Sequence, residues 1–265
     1  MTVLQIGSSG PDVVTLQQTL KERGFDPGNI DGQFGRGTEA AVLAFQKSER
    51  LLSDGVAGLR TLAVLGLAEP ADVVSAVPGV TVTVVSEMFP HTQIGNIKAN
   101  LPPVLHSLVE RELTDKPMVL VALATIRAET ESFEPIAEGR SRYNTSPNGH
   151  PFDLYDYRKD LGNQGPPDGE QYRGRGYVQL TGRFNYGKYG AVIGLGDRLL
   201  SNPELASDPD TAAKLLAAFL KDKQQPIQEA LLEGDLKTAR RLVNGGTNGL
   251  DRFSEAYTTG QVLVA

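Results

Sequence analysis

Four carboxylic acids fall within ten residues of this chain: Glu129, Glu131, Glu134 and Glu138. Two carboxyl groups flanking one glycosidic bond can cleave it. One protonates the leaving oxygen and the other activates water or attacks the sugar. Glu129 follows an apolar run, with Ile126 one turn back and Phe133 one turn on. Those neighbours limit solvation on one side of its carboxyl, a setting that suits a proton donor. Glu138 lies nine residues later. On a continuous helix the two would stand about 13.5 Å apart along the axis, too far to share a bond. Glu134-Pro135 disfavours helix at 134, so the chain is expected to turn there and bring Glu138 back. A gap of roughly 6.5–9.5 Å would leave room for water and imply inversion, whereas a gap near about 5 Å would imply a covalent retaining route. The spacing permits either, and Glu131 and Glu134 stay open as alternative second acids.

The rest of the composition favours carboxylate chemistry by exclusion. The 265 residues contain no cysteine, so thiolate metal sites, disulfides and cysteine nucleophiles are absent. The three histidines, His91, His106 and His150, are far apart, and no HExxH run exists. No metal site and no cofactor is expected. There is no GxSxG elbow and no GxxxxGK[ST] loop. A net charge of −6 argues against nucleic acid as a partner. The longest strongly apolar stretch, Met118 to Ile126, is nine residues, too short for membrane insertion. The start lacks a basic region followed by an apolar run, so synthesis in the cytoplasm without a signal peptide is expected.

Helices must position these acids. Pro117 to Phe133 contains a strongly apolar, buried helix with Glu129 near its end, and Asp208-Pro209-Asp210 caps another in which Ala213, Leu216, Ala217 and Leu220 share a face. Pro226 starts a further helix, and Asp235-Leu236 opens the next, ending at Asn244-Gly245-Gly246. Between 139 and 180 the chain is rich in Gly, Pro, Asn, Tyr and Arg, the composition of a binding surface rather than of packed helices. Residues 68–88 read as a linker: Glu69, Asp72 and Glu87 occur without Lys or Arg, and Val80–Val85 has strand propensity. Fully extended, those residues reach roughly 70 Å.

Residues 1–67 read as a three-helix bundle. Val13, Leu16, Thr19 and Leu20 recur at helical spacing until Gly24 stops the helix. Thr38 is placed as the cap of a second helix presenting Ala41, Val42 and Phe45. Asp31-Gly32-Gln33-Phe34-Gly35 is echoed by Asp54-Gly55-Val56-Ala57-Gly58, each followed by a Thr (Thr38, Thr61), so two copies of a turn–helix element are expected. The run Asp31-Gly32-x-Phe34-Gly35-x-x-Thr38-x-x-Ala41-Val42-x-x-Phe45-Gln46 resembles the three-helix peptidoglycan-binding domain found at the ends of cell-wall hydrolases. The resemblance implies wall binding without catalysis, with Asp31, Phe34, Thr38 and Gln46 as its module residues.

The larger segment, 89–265, carries a second resemblance. Ala128-Glu129-x-x-x-Phe133, Leu161-Gly162-Asn163, the run Tyr172-Arg173-Gly174-Arg175-Gly176-Tyr177-Val178-Gln179-Leu180-Thr181-Gly182-Arg183-Phe184-Asn185-Tyr186, Asn202-Pro203, and Asn244-Gly245-Gly246 with Asp251-Arg252 occur in order. They resemble family 19 glycoside hydrolases, the plant-type chitinases and phage or bacterial endolysins, over about 118–258. The resemblance implies Glu129 as general acid, Glu138 as general base and Thr181 as the group placing the water. It also implies that Tyr172, Gln179, Asn185 and Asn244 bind sugar and that Arg252 supports the carboxylates. Plant-type members have His before the first glutamate, where this chain has Ala128, and are cysteine-rich.

Together these readings predict a mainly α chain: a small three-helix bundle (1–67), a linker (68–88) and a larger helical lysozyme-like glycosidase domain (89–265). They imply a monomeric peptidoglycan hydrolase of endolysin type, an N-acetylmuramidase working by two glutamates with inversion and acting on the wall after release. The alternatives are a chitinase on N-acetylglucosamine polymers and a non-catalytic wall-binding protein. A lytic transglycosylase would need only one glutamate.

Overall fold

The computed structural model describes residues 3–49, 51–67, 75–232 and 234–264. The chain is mainly helical and divides into two compact units, Met1–Ser75 with Gln225–Asp235, and Ala76–Gln224 with Leu236–Ala265. The helices of the first stretch are α1 (Pro11–Glu22), α2 (Arg36–Ser48) and α3 (Leu59–Leu65). Then follow α4 (Val82–Met88), α5 (Ile94–Glu110), α6 (Lys116–Thr130), strand β1 (Ile136–Ala137), α7 (Asp168–Gln171) and strand β2 (Arg175–Gly176). The remainder is α8 (Arg183–Val192), α9 (Arg198–Ser201), α10 (Pro209–Asp222), α11 (Gln224–Leu232), α12 (Leu236–Asn244) and α13 (Leu250–Leu263). The two strands pair antiparallel, Ile136 opposite Gly176 and Ala137 opposite Arg175.

The first unit buries Val13, Leu16 and Leu20 of α1 against Ala41, Val42 and Phe45 of α2 and Leu62 and Leu65 of α3. Phe25 meets the Phe45 ring edge-on at 5.4 Å. The echoed sequence elements prove to be two copies of one hydrogen-bond device. Gln17 Nε2 donates to Asp31 Oδ1 (3.1 Å), the Gln33 carbonyl (3.1 Å) and Thr38 Oγ1 (3.0 Å), and Gln17 Oε1 accepts from Gly32 N–H (3.0 Å). Gln46 repeats this with Asp54 Oδ1 (2.9 Å), the Val56 carbonyl (2.9 Å), Thr61 Oγ1 (3.1 Å) and Gly55 N–H (3.0 Å). Each buried amide thus closes a turn onto the helix after it. Thr38 is therefore not a cap: α2 starts two residues earlier at Arg36, and the Thr38 hydroxyl serves Gln17.

The expected linker is corrected. Residues 68–74, including Glu69, Pro70 and Asp72, lie outside the described residues. Residues 76–88 fold with the second unit rather than forming an extended ribbon. Thr81 Oγ1 accepts from Val84 N–H (3.2 Å) and caps α4, whose Val85 and Met88 are buried and which packs on α5 and α13. A capped start and an apolar pair at helical spacing outweigh the strand propensity of the valines. The expected boundaries 67 and 89 also shift, because residues 225–235 cluster with the first unit.

The second unit is built around α6. Asp115 Oδ1 accepts from Met118 N–H (3.1 Å) and Pro117 occupies the first turn, both start signals. Met118 to Ile126 are buried on every side, which is why the run shows no amphipathic period. Helix α13 packs along α6. The approach needs Gly260, since a Cβ there would stand 2.4 Å from Leu120 Cδ2 and 2.9 Å from Met88 Cε.

Replacing Gln17 or Gln46 with Leu should lower stability by about 2 kcal/mol, because each leaves a buried N–H and a carbonyl without a partner. The readout is the urea midpoint of the full chain. An unchanged midpoint would mean that the amides do not hold the turns.

Candidate functional site

Helix α6 ends at Thr130, one residue past Glu129. Glu131 (φ 49°) and Phe133 (φ 58°) adopt positive φ, which stops the helix before Pro135 can act. Phe133 is the anchor that holds this turn: it is fully buried, with its ring 4.8 Å edge-on from Phe89 and 6.3 Å from Tyr177. The turn leaves Glu129 on the last helical turn, 11% exposed at its side chain.

Glu129 is not bounded by apolar groups alone. Its Oε1 accepts from Arg240 Nη2 (2.8 Å) and from Asn244 Nδ2 (2.7 Å), both on α12. Its Oε2 accepts from no described residue. Arg240 is fully buried and also donates through Nε (2.9 Å) and Nη2 (2.7 Å) to the Asn248 carbonyl. One guanidinium thus ties the α12–α13 turn to the end of α6. Arg240 was absent from the sequence reading, and only the adjacent NGG block marked its neighbourhood. The Arg252 guanidinium, expected to support the catalytic carboxylates, instead pairs with Glu131. Asn244, expected on sugar, donates to Glu129.

Glu138 is held by a different set. Its Oε1 accepts from Asn144 Nδ2 (2.9 Å) and Tyr155 Oη (3.0 Å), and its Oε2 from Gly174 N–H (3.2 Å). Its own N–H donates to the Gly174 carbonyl (2.7 Å), extending the β1–β2 pairing. Burial first and then the Glu138 charge push the Tyr155 hydroxyl up to about 12, so it stays a donor across the physiological range. Gly174 is required by close approach: a Cβ there would lie 2.8 Å from Gln179 Oε1, 3.2 Å from Glu138 Oε2 and 3.3 Å from Thr181 Oγ1. Glu138, Gln179 and Thr181 therefore converge on one point. Gln179 Nε2 is committed to the Ile136 and Gly176 carbonyls (both 3.0 Å), and Thr181 Oγ1 donates to the Gln179 carbonyl (2.9 Å). Asn185 Nδ2 donates to the Thr181 carbonyl (2.7 Å). Of the alternative bases, Glu131 is taken by Arg252, and Glu134 Oε2 accepts from Asn96 Nδ2 (2.8 Å).

Other expected contacts are structural. Tyr172 is buried at 2% exposure, donates to the Leu200 carbonyl (3.3 Å) and packs on Tyr186, so it is removed from sugar contact. Phe34, Thr38 and Gln46 are likewise buried and hold the module's core and turns instead of touching polymer. Asp31 sits at the surface and closes its turn through Gln33 N–H (2.9 Å). Among the described residues no group of three His, Asp or Glu side chains is placed to hold a metal, and no helix is long and apolar enough to cross a membrane.

The long 139–180 segment is pinned by polar brackets. Asn163 donates to the Tyr155 carbonyl (2.8 Å) and accepts from Arg183 N–H (2.9 Å). Arg183 grips Asp168 with two bonds (2.7 and 2.5 Å), and Asp168 also accepts from Gln164 N–H (2.8 Å). Arg175, fully buried, reaches Glu204 Oε1 (2.6 Å) and Tyr186 Oη (3.0 Å).

Residues 9–65 match the family described as a peptidoglycan binding domain. Among curated relatives, the chain is 44% identical over 79 residues to the spore cortex-lytic enzyme of Bacillus cereus, covering 30% of each chain. It is 32% identical over 104 residues to a glycosyl hydrolase family 19 domain-containing protein of Haemophilus influenzae, covering 39% of this chain and 48% of that one. It is 46% identical over 59 residues to endochitinase 1 of Theobroma cacao, covering 22% of this chain and 18% of that one. The chain thus spans less than half the length of each of these relatives. The chain is modular, with the peptidoglycan-binding module at its N-terminal end.

Burial pushes the Asp168 carboxyl up, but the Arg183 guanidinium and the Gln164 N–H outweigh it, and the net shift is downward. A carboxyl depressed on folding stabilises the fold above its unfolded value and loses that contribution as pH falls through the folded one. Asp168→Asn should therefore cost about 3 kcal/mol at neutral pH, and the deficit should shrink in acid below the ordinary carboxylate range. Denaturation midpoints of both proteins across that range test it; a pH-independent difference would refute the pairing as its source.

Proposed function

We propose that this protein is a peptidoglycan hydrolase that cuts the glycan strand, as an N-acetylmuramidase, by general acid and base action of Glu129 and Glu138. The observation that carries the reading is the asymmetry of the two carboxylates. Both donors to Glu129 go to Oε1. Oε2 can carry a proton and give it to a leaving oxygen while both bonds are kept. Glu138 takes donors on both oxygens, the arrangement of an acceptor. Thr181 Oγ1, the Gln179 side-chain oxygen and Glu138 Oε2 all lie within 3.3 Å of where a Gly174 Cβ would stand, a grouping able to fix a water.

In the cycle proposed, Glu129 protonates the glycosidic oxygen as the bond breaks. Glu138 draws a proton from water attacking the anomeric carbon from the other face. The product keeps a reducing end with inverted configuration. Arg240 and Asn244 hold the Glu129 carboxylate that remains after proton transfer. The wall-binding module supports polymer over short soluble glycans as substrate, and the reading implies action on the wall after release from the cytoplasm. Likeness to an endochitinase favours one alternative, cleavage of N-acetylglucosamine polymers by the same acids.

Mass spectrometry of purified peptidoglycan treated with the protein is expected to give new reducing-end N-acetylmuramic acid. Glu129→Gln and Glu138→Gln should each lower the rate by at least about 100-fold. A reducing-end N-acetylglucosamine would move the cleaved bond, an anhydro sugar would overturn the two-acid cycle, and cleavage of chitin oligomers alone would favour the alternative. Tyr155→Phe removes one of three donors to Glu138 and should lower kcat about tenfold; an unchanged kcat would mean that the phenol does not hold the base.

A further inference from the structure

A cavity of about 740 Å³ opens beside Glu129, where the end of α6 meets the turn between α12 and α13. Its volume is that of a small-ligand site. Its lining differs from the surroundings of Glu138 in two ways. First, it contains no aromatic side chain, so it offers no platform for stacking a sugar ring. Second, beside the paired Glu129, Arg240 and Arg252, it gathers solvent-exposed polar side chains that no described residue engages: the Lys237 ammonium, the Thr247 hydroxyl, the Asn248 amide and the Asp251 carboxylate. The polar groups holding Glu129 and Glu138, by contrast, are committed to those carboxylates and to backbone. A cation and an anion, both unpaired and both lining one cavity beside the acid, suit a ligand that carries both charges and amide groups.

We propose that this cavity is a subsite for the zwitterionic peptide stem of the glycan strand, with Lys237 taking a stem carboxylate and Asp251 a stem ammonium. The inference rests on the hydrolase reading for its substrate class. Glycan in peptidoglycan carries peptides with carboxylates and a diamino acid, whereas chitin is uncharged. A charged cavity next to the proton donor would thus select the strand that bears stems. Lys237 stands three residues before Arg240 on α12, on the same face. The residue that holds Glu129 and the residue that would read the stem therefore share one rigid element.

The test uses the full chain with two probes. Muramyl tripeptide is titrated and followed by NMR. Glycan strands with stems, and strands stripped of stems by an amidase, are compared in hydrolysis. The wild type should bind the tripeptide with shifts on α12 and α13, and Lys237→Ala and Asp251→Asn should each weaken binding about fivefold. The ratio of kcat/KM on stem-bearing to stem-free strands should fall by a similar factor. Circular dichroism checks that both variants fold. Equal losses on both strands, or no tripeptide binding at these helices, would overturn the subsite while leaving hydrolysis intact. Tripeptide binding that depends on Lys237 without cleavage of either strand would support the subsite and refute the hydrolase reading.

Discussion

The buried guanidinium of Arg240 sets the terms for the second unit. A fully buried cation needs a carboxylate and further acceptors, because removing it from water is costly. Glu129 Oε1 and the Asn248 carbonyl supply both to Nε and Nη2, while the buried Nη1 has no partner among the described residues. That pairing fixes three things at once: the side chain at the end of α6, the turn between α12 and α13, and part of the lining of the cavity next to them. The packing of α13 along α6, made possible at Gly260, brings these elements within reach. An apolar core thus places a polar pair, and the polar pair places the acid.

Glu138 is positioned by different physics. Its segment has little regular structure, and a two-residue strand pair is its only sheet. Order there comes from side-chain brackets: Asn144 and Tyr155 on the carboxylate, Asn163 between Tyr155 and Arg183, and Asp168 gripped by Arg183. These brackets join groups from 6 to 20 residues apart, so the loop is held by side chains although it is not helical. The first unit uses the same economy, with one glutamine amide closing each turn.

Several signals that act over a few residues were legible in the sequence. Asp208 caps its helix, residues of the Gly174 to Asn185 run lie around Glu138, and the two turn copies in the module share one hydrogen-bond pattern. Contacts set by tertiary packing were not. Arg240 lies 111 residues from Glu129, and no spacing rule joins them. Arg252 is close in sequence to Asn244 but reaches Glu131 instead. Tyr172, Phe34, Thr38 and Gln46 stand out in motifs, yet they are buried. A recurrent motif residue can secure a turn as readily as it can touch a ligand. The valines of 80–85 show the same limit, since a capping threonine and two burial positions decide for helix over strand propensity.

The distribution of donors bears on how one fold can separate two chemically identical groups. A glutamate that must give up a proton has to tolerate both charge states in place. In the proposed cycle both bonds to Glu129 stay on Oε1, so neither donor needs to move on proton transfer, and the charge that then appears is the one Arg240 pairs with. A glutamate that must take a proton from water needs the opposite, donors that hold it as an acceptor until the moment of transfer. Glu138 has that, from an amide, a phenol that stays protonated and a backbone N–H that no side chain can obstruct because residue 174 is glycine. In the proposed cycle the two roles follow from which oxygen each donor reaches, a level of detail that depends on the α6 turn at Glu131 and on the pinned loop together.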